Sequence, residues 1–239
     1  MSRPSGRKRN EIRGVSIETN INKYAEGSCL ITCGGTKIMC TATVDEKVPP
    51  FLRNTGKGWV TAEYSMLPRA TQERVQREIS RGKPDARSSE ISRLIGRSLR
   101  AAIDLDILGE RQIIIDCDVL QADGGTRCAS ITGGFVALYM AVKKLEQERK
   151  FKVNPINNFV AAVSCGVYKG ITVLDLDYEE DSNSEADVNF ILNDQKEIIE
   201  VQGTAEGKPF YFDKFAEMYD LATEGIIKLV EEQKRALGL

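Results

Sequence analysis

The hydrophobic residues of this chain fall into runs that have the period of either a strand or a helix. Two β-prone runs flank Gly34-Gly35, a turn pair that tolerates positive φ, and predict a hairpin over residues 28–44. The same pattern predicts a second hairpin over residues 159–178 and a third over residues 187–202. A further apolar run over residues 111–120 predicts a strand.

Three segments carry apolar residues at the helical period, namely residues 88–104, 127–147 and 211–236. The second has further apolar residues around its circumference, so it should be central and buried. Hairpins followed by long helices, twice along the chain, predict an α+β fold. Its two related halves, roughly 1–150 and 151–239, are expected to pack into a single domain covering residues 1–239.

The composition is that of an ordinary globular protein, with 239 residues, 41% hydrophobic and 28% charged. No apolar run approaches the length needed to span a membrane, and no apolar signal core follows the basic N-terminus, so a cytoplasmic protein is expected. The six cysteines form no C-x-x-C pair. We interpret them as reduced, buried small hydrophobes, with a zinc site as the alternative.

The chain contains no histidine. Ser-His-Asp and Cys-His catalysis, H-E-x-x-H zinc sites and imidazole bases are therefore excluded. Any catalysis must depend on carboxylates, arginines, lysines, backbone N–H groups and a hard metal ion.

Positive charge is concentrated in the first half of the chain. Residues 1–120 hold 20 basic and 15 acidic side chains, net +5, whereas residues 121–239 hold 13 basic and 20 acidic, net −7. Residues 69–100 alone carry a net charge of +5. Arginine predominates there, and arginine binds phosphate through bidentate donors. The nine basic residues are Arg69, Arg74, Arg77, Arg81, Lys83, Arg87, Arg93, Arg97 and Arg100.

The basic segment divides into two parts. Residues 69–87 contain Gly82 and Pro84 and predict a charged loop, which is either functional or a solvated basic face. The three arginines that follow lie off the apolar stripe of their predicted helix and are either surface residues or subunit contacts. They are Arg93, Arg97 and Arg100.

A glycine pair marks the junction between the predicted strand at 111–120 and the central helix. The sequence there is Gln121-Ala122-Asp123-Gly124-Gly125-Thr126-Arg127. Glycines permit a sharp turn and close approach of a ligand, while the helix N-terminus and Arg127 favour an anion. The motif is neither a Walker loop nor a dinucleotide fingerprint. The alternative is a plain connection with a solvated arginine.

Acidic residues gather over residues 175–187. In a strand, Asp175, Asp177 and Glu179 would point to one side. Asp181 and Asp187 bracket a short polar loop that could bring both carboxylates to one point. Magnesium favours one or two carboxylates together with waters and substrate oxygens, so the pair suits metal-assisted phosphoryl or nucleotidyl transfer. A solvated acidic turn is the alternative.

Seven segments in order resemble those of the bacterial ribonuclease PH family over nearly the whole chain. Three of them are residues 58–69, residues 90–101 and residues 116–127. The others are Arg3-Pro4-Ser5-Gly6-Arg7, Glu26-Gly27-Ser28 with the turn at Gly35, Asp175-Leu176-Asp177-Tyr178-Glu179-Glu180-Asp181 and Glu200-Val201-Gln202-Gly203-Thr204-Ala205-Glu206. Asn10, Gly14 and Ala86 depart from the residues usual in this family.

The resemblance implies two pseudo-symmetric β-rich halves like the second domain of ribosomal protein S5, and a homohexamer built as a trimer of dimers. It implies phosphorolysis, in which inorganic phosphate releases the 3′-terminal nucleotide of tRNA precursors and other RNA as a nucleoside 5′-diphosphate. The phosphate site carries over onto Arg87, Gly125, Thr126 and Arg127. The paired aspartates carry over onto Asp181 and Asp187, which would hold Mg²⁺, or Mn²⁺ in its place. Positions that serve RNA binding or subunit contact correspond to Arg69, Arg74 and Arg77.

Two other functions remain open at this stage. One is a ring subunit that binds RNA without chemistry, although such subunits tend to lose the phosphate arginines or the aspartates, and this chain has both. The other is a carboxylate–metal hydrolase that uses water in place of phosphate. Whether either aspartate binds the metal or protonates the departing oxygen is also open.

Overall fold

Two β-sheets, each covered by long helices, form the framework of the protein. The computed structural model describes residues 3–82 and 85–239, so Lys83 and Pro84 of the predicted loop lie outside the described residues. The first sheet contains β1 (Val15–Thr19), β2 (Gly27–Cys33), β3 (Thr36–Asp45), β4 (Trp59–Met66) and β5 (Gln112–Gln121). The second contains β6 (Val160–Tyr168), β7 (Ile171–Leu174), β8 (Ala186–Asn193) and β9 (Ile198–Ala205).

The strand orders are β1-β2-β3-β5-β4 and β7-β6-β8-β9, and every pairing is antiparallel except that of β4 with β5. A parallel pair needs a long crossover, which a helix supplies here. The helices are α1 (Glu78–Arg81), α2 (Ala86–Arg100), α3 (Leu105–Leu108), α4 (Thr126–Gln147), α5 (Tyr178–Asp181) and α6 (Phe212–Leu237), with a 3₁₀ turn at Pro50–Leu52.

The α+β fold and its principal elements are confirmed. The three predicted hairpins are β2–β3, β6–β7 and β8–β9, the predicted strand is β5, and the predicted helices are α2, α4 and α6. The helix predicted to end at residue 104 ends at Arg100. The hydrophobic pattern missed β1 and β4, which are the two edge strands of the first sheet.

Helix α4 lies at the centre of the fold, as its all-round apolar surface predicts. It packs against β2 and β3 of the first sheet and against β6 of the second. Phe135 is fully buried in it, and the Thr132 hydroxyl accepts a hydrogen bond from the Ala162 amide at 3.1 Å. The Gln233 amide of α6 donates to the carbonyls of Thr132 and Val160, both at 2.9 Å. One helix therefore ties the two sheets together.

Among the described residues, α4 is also the one helix long and apolar enough to cross a membrane, contrary to the interpretation of the sequence. However, 78% of its most apolar stretch is buried inside the fold, as in the core helix of a protein that surrounds it on several sides. The interpretation of the cysteines as buried small hydrophobes is confirmed, because all six are buried with free thiols.

Candidate active site

The glycine loop, residues 121–127, joins β5 to α4 through two consecutive left-handed glycines. Gly124 has φ 75° and Gly125, the N-cap of α4, has φ 64°. A Cβ on Gly124 would lie 2.7 Å from the carbonyl carbon of Asp177, so no larger residue fits without a backbone shift. No side chain caps α4, which leaves its first N–H groups available to an anion. The predicted sharp turn at this junction is confirmed.

Two arginines reach the same region from the first turns of two helices. Arg127 lies in the first turn of α4, and Arg87 lies in the first turn of α2. The sequence placed Arg87 in a loop, but the extended backbone of Asp85 starts α2 at Ala86 and so includes Arg87 in the helix. Both guanidiniums act on the Tyr64 hydroxyl. Burial raises the pKa of Tyr64, whereas its hydrogen bond with Thr126 at 2.9 Å and the charges of the two arginines lower it.

Asp181 and Asp187 lie at either end of a short connection and influence each other's ionisation. Asp181 is the last residue of α5, and Asp187 is near the start of β8. The surrounding protein removes part of the hydration of each carboxylate and thereby raises both pKa values. The charge of Asp181 raises the pKa of Asp187 further. Arg127 opposes the rise at both carboxylates, so the two aspartates and the glycine-loop arginine face one region.

The chemistry of this pair suits a hard divalent cation. Two partly desolvated carboxylates with raised pKa values, which repel each other, gain from a cation between them. Within the described ranges, no group of three or more His, Cys, Asp or Glu side chains forms a complete metal site. A cation here would therefore take its remaining ligands from water and substrate oxygens, as Mg²⁺ commonly does.

Asp175, Asp177 and Glu179 do not share one face of a strand, contrary to the prediction, although Asp175 and Asp177 both contact Arg7. Strand β7 ends at Leu174, and Asp175 takes a left-handed conformation with φ 56°. Asp177 is instead the N-cap of α5, where its carboxylate accepts from the amide of Glu180 at 3.0 Å. Asp175 is buried against arginines of the N-terminal segment, and Glu179 is exposed.

Arg13 contacts both Asp175 and the glycine loop, and nothing in the local sequence indicates either contact. Its guanidinium holds the Asp175 carboxylate through Nε at 3.0 Å and Nη2 at 2.7 Å. Its Nη1 donates to the Asp123 carbonyl of the glycine loop at 2.5 Å. Burial alone would lower the pKa of Arg13, but the charge and hydrogen bonds of Asp175 raise it overall. Thr36, Tyr64 and Glu206 were also missed, because nothing in their local sequence indicates contact with the loop or the aspartates.

The arginines of the basic segment separate into two groups. Arg69, Arg74 and Arg77 are exposed and form no ion pair with a described residue. The segment that carries them begins beside the glycine loop, because the Ala122 amide donates to the Ala70 carbonyl at 2.8 Å. Further along α2, Arg97 pairs with Glu200, and Arg100 lies 4.2 Å from the centre of the Trp59 ring, while Arg93 is exposed.

Comparison with known proteins gives consistent matches along the chain. The model of the 3′ exoribonuclease family, domain 1, matches residues 11–144, and that of domain 2 matches residues 158–225. Proteins named ribonuclease PH from two strains of Cereibacter sphaeroides are 59% and 60% identical over 236 residues, covering 99% of this chain and 100% of each relative. A protein of that name from a Methylobacterium species is 55% identical over the same coverage.

Solved structures at low identity share the fold. Rrp46 from rice (Oryza sativa) superposes with a TM-score of 0.80 at 16% identity, covering 98% of this chain and 100% of that one. A chain of the Archaeoglobus fulgidus exosome with RNA bound to the active site gives a TM-score of 0.80 at 22% identity, covering 97% of this chain and 92% of that one. These likenesses concern the fold alone.

Proposed function

The chain belongs to the ribonuclease PH family of 3′ exoribonucleases, and on this premise we propose how its residues carry out the reaction. It is a phosphorolytic 3′→5′ exoribonuclease and nucleotidyltransferase, with inorganic phosphate as co-substrate and RNA as substrate. The observation that carries the mechanism is that Arg87 and Arg127 act electrostatically on Asp181, and Arg127 also on Asp187, beside the uncapped N-terminus of α4.

The glycine loop and two arginines bind the attacking phosphate in this mechanism. The N–H groups of Gly125 and Thr126 meet one side of the phosphate, and the guanidiniums of Arg87 and Arg127 meet the other. Holding the dianion in line with the phosphorus removes much of the entropic cost of bringing two substrates together. The fixed positive charges also stabilise the charge on the oxygens of the transferring group.

Phosphate attacks the phosphorus of the 3′-terminal phosphodiester, and the bond from that phosphorus to the preceding 3′-oxygen breaks. The proton carried by hydrogenphosphate ends on the departing 3′-oxygen, so the products are a nucleoside 5′-diphosphate and an RNA shortened by one nucleotide. Asp181 and Asp187 would hold Mg²⁺, or Mn²⁺ in its place, and the bound cation would offset negative charge at the reacting phosphoryl. Because the pKa of each carboxyl is raised, either one is also suited to pass that proton to the departing oxygen.

The RNA and the assembly complete the proposal. Arg69, Arg74 and Arg77 guide the 3′ end of tRNA precursors and other RNA toward the glycine loop, or contact a neighbouring subunit. We propose a homohexamer, a trimer of dimers, in keeping with large aromatic side chains that the protomer leaves exposed, such as Phe51, Tyr211 and Phe212.

We also propose that residues 1–239 form one domain, because α4 packs against both sheets. The buried free cysteines favour a cytoplasmic location.

Incubation of the protein with a 3′-tailed RNA and Mg²⁺, with and without inorganic phosphate, tests the function directly. We expect nucleoside diphosphates only when phosphate is present, and lengthening of the RNA when nucleoside diphosphate is in excess. Release of monophosphates without phosphate would instead indicate hydrolysis. RNA binding without any release would indicate a non-catalytic ring subunit.

The pH dependence of the reaction should respond to Glu206. This exposed carboxylate raises the pKa of both Asp181 and Asp187 through its negative charge. Because Glu206→Gln removes that charge, both pKa values should fall, and the acid limb of kcat/KM should move to lower pH. Screening by water limits the shift to less than about one pH unit. The pH profile of initial rates measures it, and a shift to higher pH would contradict the assignment.

Glu179→Gln provides the matched control for this profile. Glu179 is also exposed and precedes Asp181 by two residues, but its charge is not among the largest influences on the pKa of either aspartate. Its replacement should leave the acid limb where it is.

A further inference from the structure

We propose that Arg13 and Thr36 are positioning residues of the phosphate site, which fix the two peptide groups that lead to Gly125 so that the Gly125 N–H faces the phosphate. The inference rests on the proposed function, because it concerns the same loop. It assigns a role to two residues that belong neither to the phosphate cradle nor to the aspartate pair.

The carbonyl of Asp123 is held from inside the protein. Arg13 Nη1 donates to this oxygen at 2.5 Å. A trans peptide is planar, with its carbonyl and its N–H pointing in opposite directions. With the Asp123 carbonyl directed at Arg13, the N–H of Gly124 is directed away from Arg13.

The next peptide is held in the same way from a second side. The hydroxyl of Thr36 donates to the Gly124 carbonyl at 2.7 Å, and Arg13 Nη1 lies 3.4 Å from the same oxygen. The Thr36 hydroxyl also accepts from the Asp123 amide at 2.9 Å. The N–H of Gly125 therefore faces away from both residues, and among the described residues no acceptor takes the N–H of Gly124 or Gly125.

Both side chains are rigidly placed. Thr36 is fully buried, and the Arg13 side chain is 7% exposed. Arg13 Nη2 would lie 2.9 Å from a Cβ on Gly125, so the guanidinium occupies the space that a side chain on that residue would need. The bidentate contact with Asp175 fixes the plane of the guanidinium, which fixes the direction of its remaining donors.

A balanced charge network supports Arg13 from behind. Arg3 donates two hydrogen bonds of 2.6 Å to the fully buried carboxylate of Glu180. Arg7 contacts the carboxylates of Asp175, Asp177 and Glu180 at 3.1 to 3.4 Å. Three guanidiniums thus meet three carboxylates, and none of these side chains is more than 14% exposed. Because the network neutralises itself, it does not compete for the phosphate. Its role toward the loop is to hold Arg13 in place.

Steady-state kinetics of Arg13→Lys test this role. Lysine keeps the charge beside Asp175 but has no planar fork to reach the loop carbonyls as well. We expect the KM for inorganic phosphate to rise about tenfold, the equivalent of one charge-assisted hydrogen bond, while the KM for RNA changes little. A merely structural role would lower the amount of active enzyme, and hence kcat, with both KM values unchanged. That result would overturn the proposal.

Thr36 provides an independent test should Arg13→Lys fail to fold. Thr36→Val preserves the shape of the side chain and removes the hydroxyl, whereas Thr36→Ser keeps the hydroxyl. The valine variant should raise the KM for phosphate, and the serine variant should restore it to near the wild-type value. An unchanged KM for phosphate in the valine variant would overturn the role of this residue.

Arg9→Lys is the matched control, because Arg9 belongs to the same N-terminal segment but pairs with Glu217 at the surface. Its kinetics should match those of the wild type.

Calorimetric titration with inorganic phosphate alone distinguishes failure of the proposed function from failure of the positioning role of Arg13. If the wild type binds phosphate but releases no diphosphate, the proposed function fails. If it is active and Arg13→Lys binds phosphate equally well, only the positioning role fails.

Discussion

Arg127→Ala should lower the phosphorolytic kcat/KM by about a thousandfold, because it removes a bidentate cation from the phosphate site. Arg127 lies in the first turn of α4, where the uncapped N–H groups and the helix dipole already favour an anion. Among the described residues, its guanidinium has one weak hydrogen-bond partner, Gln202 at 3.4 Å, so its other donors are free to contact a substrate. Initial rates of diphosphate release at varied phosphate concentration measure the loss.

Two further variants show whether the reaction needs the planar donors of Arg127 or only a positive charge. Arg127→Lys keeps the charge but loses the planar donors, so it should fall between the wild type and the alanine variant. Lys143→Ala removes a cation from the exposed side of the same helix and should leave the rate unchanged. If Arg127→Ala retains activity within about threefold of the wild type, the arginine does not bind the attacking phosphate.

Local sequence was sufficient to predict the glycine loop, because its features depend on neighbouring residues. Strand β5, two glycines that accept positive φ and an apolar helix lie within one continuous segment. The hairpins were predictable for the same reason, since their strands flank short turns. Edge strands β1 and β4 were not, because β1 has only five residues and β4 pairs in parallel with β5, so no hairpin turn marks it.

The support of the loop could not be predicted, because it joins residues that are far apart in the chain. Arg13 contacts Asp175 across 162 residues and Asp123 across 110. Local alternation also gave the wrong orientation for Asp175, because a strand was assumed to continue past Leu174. Only the fold shows that Asp175 turns inward to pair with Arg13. The roles of the paired aspartates came from family resemblance, whereas the electrostatic coupling between them is a property of the structure.

Asp181→Asn should lower turnover by about a hundredfold to a thousandfold, because it removes a carboxyl group that either holds the cation in its ionised form or supplies a proton in its neutral form. The substitution preserves the size of the side chain, and Asp181 keeps an exposed surface, so the fold should be retained. Glu179→Gln is the control, since it neutralises an exposed carboxylate of the same short helix. Unchanged turnover in Asp181→Asn would contradict both roles.

The two roles of Asp181 differ in how the variant responds to Mg²⁺ and pH. If the carboxylate holds the cation, the Mg²⁺ concentration for half-maximal rate should rise in Asp181→Asn, and excess Mg²⁺ should recover part of the activity. If the carboxyl supplies the proton, the Mg²⁺ requirement should stay the same, and the fall of rate at high pH should disappear. The same measurements on Asp187→Asn assign the other role, because the charge of Asp181 acts on Asp187.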